Sequence, residues 1–511
     1  MNTKKPGSKP KSDNMVADSI SQRSYRALLW NYSGTVVSML SQLVVGIVLA
    51  RLLGPEAFGV VAIGVLMLGI GNLVADFGFS TALIQAKDIT DDDIAFVFFA
   101  QVTLGTLLAL IGYIGSGTIA IFFRQPDSAP IIAAMSSLFF LQSFGQSSSA
   151  LLRRALNFKE FQGINIVSYL TGYVLVGIPC AVYGLGPWSL VAAQLTQSFM
   201  FSLMAVRRAR LPMRLSLRPV SPGLFAFGGK IICINLSNWG ISNLDSVAVG
   251  RWLGVIDLGV YNRSMVLIAA PINTMVSALQ GVLFAACSRA ESDVSKIKKG
   301  YFAASMVIGL VCLPLCLTAA SVSETVITAI YGEKWLAAIP IFQPLALALA
   351  INALLSITGP ILTAQNKLSI ELRAEVVSLL LMLPVIYLAA QQSAVAIAWG
   401  VLAVSVLRWG LLLYALSLSL DTKYAELLKP FIWPLIYAVF VAGLTSMTDQ
   451  LLQGVSPLLR LVGDIVTAML CMVFLLRVFG KKVMRGPAGS YLMAQGRMPI
   501  LFQRWMGVYN E

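Results

Sequence analysis

Apolar runs long enough to cross a lipid bilayer recur along nearly the whole chain, and they leave few folds open to it. About 20 apolar residues in a helix span the roughly 30 Å hydrocarbon core, and a helix satisfies its own backbone hydrogen bonds there. Only 12% of the residues are charged, whereas soluble proteins carry about 25%. The sequence therefore predicts an all-α integral membrane protein.

About fourteen transmembrane helices are expected from the lengths of the apolar runs. They lie near residues 28–50, 57–76, 94–117, 129–150, 164–183, 187–206, 223–248, 258–284, 301–322, 339–364, 372–390, 394–418, 430–448 and 459–480. With the N-terminus placed in the cytoplasm, Lys and Arg concentrate in the cytoplasmic connections, which is the bias that sets orientation. We expect a multi-pass protein of the cytoplasmic (inner) membrane with both termini cytoplasmic.

One segment of the chain repeats at a spacing of 200 residues. RLLGPEAFGV begins at Arg51, and RWLGVIDLGV begins at Arg251. Each copy follows one long apolar run and precedes another. Because six spans separate the copies, the two halves should share one orientation and be related by an axis along the membrane normal. This pattern predicts two parallel-repeat six-helix bundles plus two C-terminal helices.

These features divide the chain into six segments. They are a cytoplasmic tail (1–24), an N-terminal six-helix bundle (25–210), a basic cytoplasmic linker (211–222), a C-terminal six-helix bundle (223–420), two additional transmembrane helices (421–480) and a second cytoplasmic tail (481–511). The net charge of +14 follows from the cytoplasmic bias of Lys and Arg. No soluble basic domain is expected, so nucleic acid is not an expected partner.

A polar stripe marks one face of the seventh span. Its residues recur every three or four positions and are Asn235, Asn238, Ser242 and Asp245. Ser38 and Gln42 of the first span lie 200 residues before two of them. Polar groups facing lipid are costly, so both stripes should face a water-filled, substrate-binding cavity or a neighbouring helix. Hydrogen bonding between helices is the alternative interpretation.

Charged residues within the spans are a second signal. They are Lys230, Arg263, Arg408, Arg26 at the mouth of the first span and Asp76 at the end of the second. An ionised group at mid-bilayer costs about 2.5–3.5 kcal/mol, so such residues usually line a wet cavity. Alternatively, Arg26 and Asp76 reach a membrane surface, and Arg408 pairs with a neighbour. The positive balance favours an anion such as a phosphate or pyrophosphate, and a cation exporter would need the reverse.

Catalytic and metal-binding patterns are missing from the sequence. The chain has no His, and none of its six Cys form a CxxC pair. It also has no phosphate-binding glycine loop and no nucleophile beside a base. We therefore expect a protein that is not an enzyme and that uses no metal and no cofactor.

Several motifs resemble bacterial polysaccharide exporters of the Wzx type, in the MOP superfamily. They are the Arg51 and Arg251 repeats, DFGFSTALIQ from Asp76, LRRALNFKEF from Leu152, LDSVAVGRWLG from Leu244 and GVYNRSM from Gly259. The resemblance covers roughly residues 25–420 and is closest to the colanic and teichuronic acid branch. The eighth-span region also resembles MurJ-like lipid II flippases.

The resemblance implies a MATE-like, V-shaped pair of bundles around a central cavity that opens alternately to each side. It implies a flippase that moves undecaprenyl-pyrophosphate-linked oligosaccharide units for exopolysaccharide or lipopolysaccharide biosynthesis. Arg263 falls where an arginine meets the pyrophosphate in this family, and Arg26 is a looser match. Membrane lipids, a polysaccharide polymerase and chain-length machinery are the partners implied.

Three other functions stay open at this point. The first is a MATE-like multidrug or cation antiporter, which would need buried carboxylates in the first bundle, where only Asp76 is available. The second is a membrane-embedded polysaccharide polymerase or ligase, although the external loops are short. The third is a membrane scaffold, which the charges within the spans disfavour.

Overall fold

The computed structural model describes residues 11–76, 78–85, 89–209, 236–289, 294–365 and 368–484. Within these ranges every regular element is a helix. Thirteen helical segments of the described chain are long and apolar enough to cross a membrane. The prediction of an all-α, multi-pass membrane protein is confirmed.

Eight α-helices of the described chain precede the basic linker. They are α1 (Lys11–Leu52), α2 (Pro55–Asp76), α3 (Phe79–Gln85), α4 (Asp91–Phe122), α5 (Ala129–Arg154), α6 (Phe158–Tyr169), α7 (Ile178–Val182) and α8 (Pro187–Ala209). A π-helical segment, Leu170–Gly177, joins α6 to α7. The start of α4 has a capping box, because the Thr90 hydroxyl accepts the Asp93 N–H and the Asp93 carboxylate accepts the Thr90 N–H.

Ten more α-helices follow the linker within the residues that the structure describes. They are α9 (236–248), α10 (Val255–Arg289), α11 (Val294–Ser321), α12 (Ser323–Ile330), α13 (Ile339–Leu355), α14 (Thr358–Ala364), α15 (Leu368–Ala390), α16 (Ala394–Ser419), α17 (Tyr424–Leu451) and α18 (Pro457–Met484). A second π-helical segment, Val249–Leu253, follows α9. Of the predicted seventh span, 223–248, residues 223–235 lie outside the described part of the chain.

The tenth predicted span, 339–364, is interrupted between α13 and α14. Pro360 explains the break, because its ring collides with the carbonyl four residues earlier and it has no N–H to donate. That carbonyl belongs to Ser356, and it accepts a hydrogen bond of 2.7 Å from the Gln280 side chain of α10. A side chain from another helix thus replaces the lost backbone partner.

The chain forms two compact units that are not continuous in sequence. The first unit contains Met1–Val45, Ile70–Gly115 and Ala133–Cys233, and the second contains Gly46–Gly69, Ser116–Ile132 and Ile234–Glu511. In the first unit, α6 and the π-helical segment pack on α8. Gly172 permits the close approach, because a Cβ there would lie 2.4 Å from the Ala193 carbonyl oxygen.

The two final helices pack onto the second unit. α17 lies along α11, and α18 contacts α17 and α12. The Tyr301 hydroxyl of α11 donates to the Leu427 carbonyl at 3.3 Å. Arg460 of α18 makes two hydrogen bonds of 3.0 Å to the Asp449 carboxylate, one to each oxygen. A two-pronged pair of this kind fixes geometry as well as charge, so it orients the hairpin of α17 and α18.

Within the second unit, the two copies of the repeat meet backbone to backbone. A Cβ on Gly59 of α2 would lie 1.8 Å from the Val255 carbonyl oxygen. Gly259 of α10 is its repeat equivalent, and a Cβ there would lie 1.9 Å from the Pro55 carbonyl oxygen. No side chain fits at either position. We call this contact the glycine crossing.

Substitution Gly259→Ala should therefore lower the free energy of unfolding. Overpacking a tight site typically costs about 1–3 kcal/mol, and here the obstacle is backbone, which cannot rotate away. Gly443→Ala is the matched control, because no atom lies within 4 Å of a Cβ at that helical position. Thermal denaturation of the purified protein in detergent measures both. Equal melting temperatures for the two variants would contradict the close contact.

Candidate functional site

A cavity of about 910 Å³ lies within the second unit. Its wall is formed mainly by α9, α10, α13, α15 and α16. Four residues singled out in the sequence line it, namely Asn238, Ser242, Asp245 and Arg408. The spacing of four and three residues along α9 explains why the first three share a face. The polar stripe of the seventh span thus lines a cavity over its described part.

Asp245 is the deepest charged group of this cavity. It is almost fully buried, and its two carboxylate oxygens accept 2.7 Å hydrogen bonds from the Tyr261 hydroxyl and the Ser246 backbone N–H. Tyr261 is also fully buried, one turn before Met265, which lines the same cavity. A buried carboxylate needs such donors, because desolvation without them is expensive.

Arg408 is paired with Glu375 of α15. The Arg408 guanidinium lies 2.6 Å from the Glu375 carboxylate, and the two side chains are 22% and 13% exposed. Arg408 therefore both lines the cavity and pairs with a neighbour, which was the alternative interpretation of this residue. Glu371 lies one turn before Glu375 and also lines the cavity. Sequence reasoning missed both glutamates. Glu371 precedes the predicted start of the eleventh span at residue 372, whereas α15 begins at Leu368. Glu375 lies inside the predicted span but was not singled out.

The charge of this cavity differs from the positive balance that the sequence suggests. Three carboxylates and one guanidinium line it. Two of the predicted cations cannot be placed in it, because Lys230 and the side chain of Arg26 lie outside the described part of the chain. The same holds for Asn235 of the polar stripe. Among the described residues, no group of three or more His, Cys, Asp or Glu side chains lies close enough together to hold a metal ion.

Arg263 does not line this cavity. Its guanidinium lies over the Phe58 ring, 3.9 Å from the ring centroid, and its backbone carbonyl accepts a hydrogen bond from Tyr331. The Phe58 ring also packs edge-on against Trp335, whose indole N–H donates to the Ala50 carbonyl at 3.0 Å. The half-buried arginine is thus held by aromatic side chains beside the glycine crossing.

A second cavity of about 580 Å³ lies within the first unit, and Asp76 lines it. Ser38 and Gln42 of α1 line neither this cavity nor that of the second unit. Asn31 and Thr35 lie seven and three residues before Ser38, so they extend the first-span stripe. Their oxygens accept hydrogen bonds from the Gln162 amide at 3.0 and 3.2 Å. That part of the first-span stripe therefore joins α1 to α6.

The chain matches a family of known proteins over more than half its length. The family model described as polysaccharide biosynthesis protein covers residues 48–340. The chain belongs to this family. The teichuronic acid biosynthesis protein TuaB of Bacillus subtilis is 26% identical over 417 residues, which make up 79% of this chain and 85% of TuaB. The lipopolysaccharide biosynthesis protein WzxC of Escherichia coli is 25% identical over 398 residues, 76% of this chain and 80% of WzxC.

Solved structures share the fold of this family member. The lipid II flippase MurJ in an inward closed conformation aligns with a TM-score of 0.71 at 12% identity, covering 88% of this chain and 99% of MurJ. An inward-facing MATE family transporter of the MOP superfamily aligns with a TM-score of 0.57 at 16% identity, covering 79% of this chain and 95% of that one. The predicted MOP fold is confirmed.

The Glu375–Arg408 pair gives a test of the charged cavity. Arg408→Leu should lower the free energy of unfolding by about 3 kcal/mol, because it leaves a half-buried carboxylate without its partner. The double variant Arg408→Leu with Glu375→Leu should recover much of that loss. Thermal denaturation of both proteins in the same detergent compares them. A double variant no more stable than the single one would contradict the pairing.

Proposed function

We propose that this chain is a flippase that moves undecaprenyl-pyrophosphate-linked oligosaccharide units across the cytoplasmic membrane by alternating access. The observation that carries the proposal is the pair of polar cavities, one inside the spanning helices of each unit. A hydrophilic headgroup needs a polar route through the bilayer, whereas its lipid tail can stay in the hydrocarbon. The chain acts as a transporter and not as an enzyme.

Relatives point to the same class of substrate. TuaB and WzxC are named for teichuronic acid and lipopolysaccharide biosynthesis, and a third relative is the succinoglycan biosynthesis transport protein ExoT of Rhizobium meliloti. These glycans differ, but each is a polysaccharide of the cell envelope or exterior. A shared lipid-linked precursor explains how one transporter family serves all of them.

Arg263 and Lys230 are proposed to hold the pyrophosphate, with Arg26 joining them. Arg263 is a half-buried guanidinium inside a membrane-spanning helix. Hydrogen bonds between a cation and a phosphate are about twice as strong as neutral ones. The polar groups of α9 in the cavity of the second unit, Asn238 and Ser242, are proposed to solvate the substrate.

The proposed topology places both termini in the cytoplasm, with bundles at 25–210 and 223–420 joined by the basic linker. The C-terminal ends of α2 and α5 then lie on the cytoplasmic side. We propose that the lipid-linked units enter the transporter from that side. Polysaccharide polymerase and chain-length machinery would receive the units on the opposite face.

Removing the proposed pyrophosphate ligands should slow translocation. The double variant Arg263→Ala with Lys230→Ala should reduce headgroup translocation in reconstituted vesicles by at least roughly tenfold, because each lost charge-assisted bond is worth about 1.5–3 kcal/mol. The control Arg124→Ala with Lys423→Ala removes the same two charges from exposed positions outside the spanning helices. Translocation at the wild-type rate in the first variant would refute the anion site.

A cation antiporter is the second candidate, and the acidic balance of the cavity in the second unit favours it. A deletion strain separates the candidates. A flippase deletion accumulates single lipid-linked units on the inner leaflet, whereas an antiporter deletion becomes sensitive to cationic drugs. A polymerase or ligase deletion would instead change polymer length or attachment without trapping units on the inner leaflet.

A further inference from the structure

The cavity of the first unit has an unusual wall. Six carboxamide side chains line it: Asn72, Gln142, Gln146, Asn165, Gln194 and Gln197. Three serine hydroxyls add to them, and among the described residues Asp76 and Arg153 are the charged ones in the lining. A carboxamide both donates and accepts hydrogen bonds without carrying charge. Most ligand sites are lined mainly by apolar side chains, so this wall suits a ligand covered with hydroxyl groups.

Two helices supply most of the wall through regular spacing. On α5, Gln142 and Gln146 lie one turn apart on the same face. On α8, Gln194 and Gln197 occupy one face in the same way, with Phe201 a turn further on. α2 and α6 close the cavity with Asn72 and Asn165.

Two lining residues carry oxygens that lack a donor. The Asn72 Oδ1 and Gln146 Oε1 atoms are buried, and neither accepts a hydrogen bond from the described chain. Buried polar atoms are nearly always paired, so an unpaired one needs an explanation. A ligand rich in O–H groups would supply the missing donors at both positions.

Asp76 is held in place at the end of α2. Its Oδ1 atom accepts hydrogen bonds from the Ser80 backbone N–H at 3.2 Å, from the Ser80 hydroxyl and from the Gln101 amide at 3.0 Å. Gln101 is itself fixed by the Ser147 hydroxyl at 2.5 Å. None of these bonds involves Oδ2, so one carboxylate oxygen stays available to a ligand in an already oriented group.

Aromatic rings border the same cavity. The Arg153 guanidinium lies 4.6 Å from the Phe161 ring centroid, and Phe161 packs edge-on against Phe201 at 6.4 Å. Phe201 lines the cavity. A sugar ring has an apolar C–H face as well as its hydroxyls, and an aromatic side chain offers a rigid apolar surface for it.

We propose that the cavity of the first unit binds the sugar part of the substrate and takes uncharged, hydroxyl-rich sugars. This inference rests on the proposed function, which it extends by assigning the glycan to a site distinct from the pyrophosphate ligands. The volume of about 580 Å³ falls within the range of about 300–1,000 Å³ typical of ligand sites. The carboxamides of the wall present hydrogen-bond donors and acceptors without charge. The site should therefore bind hydroxyl groups in general and not select one particular sugar.

The test compares two kinds of lipid on the full chain in lipid nanodiscs. Native mass spectrometry measures binding of undecaprenyl pyrophosphate alone and of undecaprenyl pyrophosphate carrying N-acetylglucosamine or glucose. The wild-type chain should prefer a sugar-bearing lipid. Asn72→Leu and Gln146→Leu should each reduce that preference roughly three- to tenfold, the equivalent of one or two hydrogen bonds. Binding of the bare lipid should not change.

The control Gln453→Leu makes the same change in the exposed turn after α17 and should keep the wild-type preference. Melting temperatures separate binding from a merely structural role. Because the two oxygens accept no hydrogen bond from the described part of the chain, the Leu variants should melt no lower than the wild type. If the Asn72→Leu or the Gln146→Leu variant fails to fold, Gln142→Leu is used in its place.

Equal binding of bare and sugar-bearing lipids by the wild type would overturn the inference, and so would an undiminished preference in both Leu variants. Failure of the proposed function looks different. In that case the wild-type chain binds none of the three lipids, whatever the state of the carboxamide wall.

Discussion

The glycine crossing in the second unit is the contact that the positions of several other groups depend on. Gly59 and Gly259 allow the backbones of α2 and α10 to come into contact. This contact fixes the positions of the neighbouring side chains. Phe58 precedes the first glycine and supports the Arg263 guanidinium, which lies one turn beyond the second. Tyr261, two residues after that glycine, holds the buried aspartate of the cavity. One backbone contact thus positions a cation and an anion within the membrane-spanning helices.

The two cavities differ in chemistry although the halves of the chain carry matching segments. The cavity of the second unit contains three carboxylates and a paired guanidinium, whereas that of the first is dominated by carboxamides. The glycines that meet backbone to backbone thus recur in the two copies of the repeat, whereas the residues that line the two cavities differ in type.

Much of the fold could be predicted from the sequence, because the bilayer permits little besides apolar helices. Residue spacing also placed Asn238 and Ser242 on a cavity face. Spacing could not identify the partner helix, so it gave no sign that Glu375 would neutralise an arginine. Gln142 and Gln146 have the same helical period as the predicted stripes, but two polar residues one turn apart do not distinguish a cavity wall from a contact between helices. Which face of a helix lines a cavity depends on packing between distant segments. Residue spacing in a single sequence does not predict that packing.

The carboxamide wall belongs to α5 and α8 of the first unit, whereas the glycine crossing belongs to the second. Amino-acid exchanges in that wall leave the tightest backbone contact undisturbed. In our proposal, sugar selectivity and the stability of helix packing consequently depend on separate parts of the polypeptide. Under this proposal, substitution of a few carboxamide residues changes which sugars are bound, while the packing of the helices is retained.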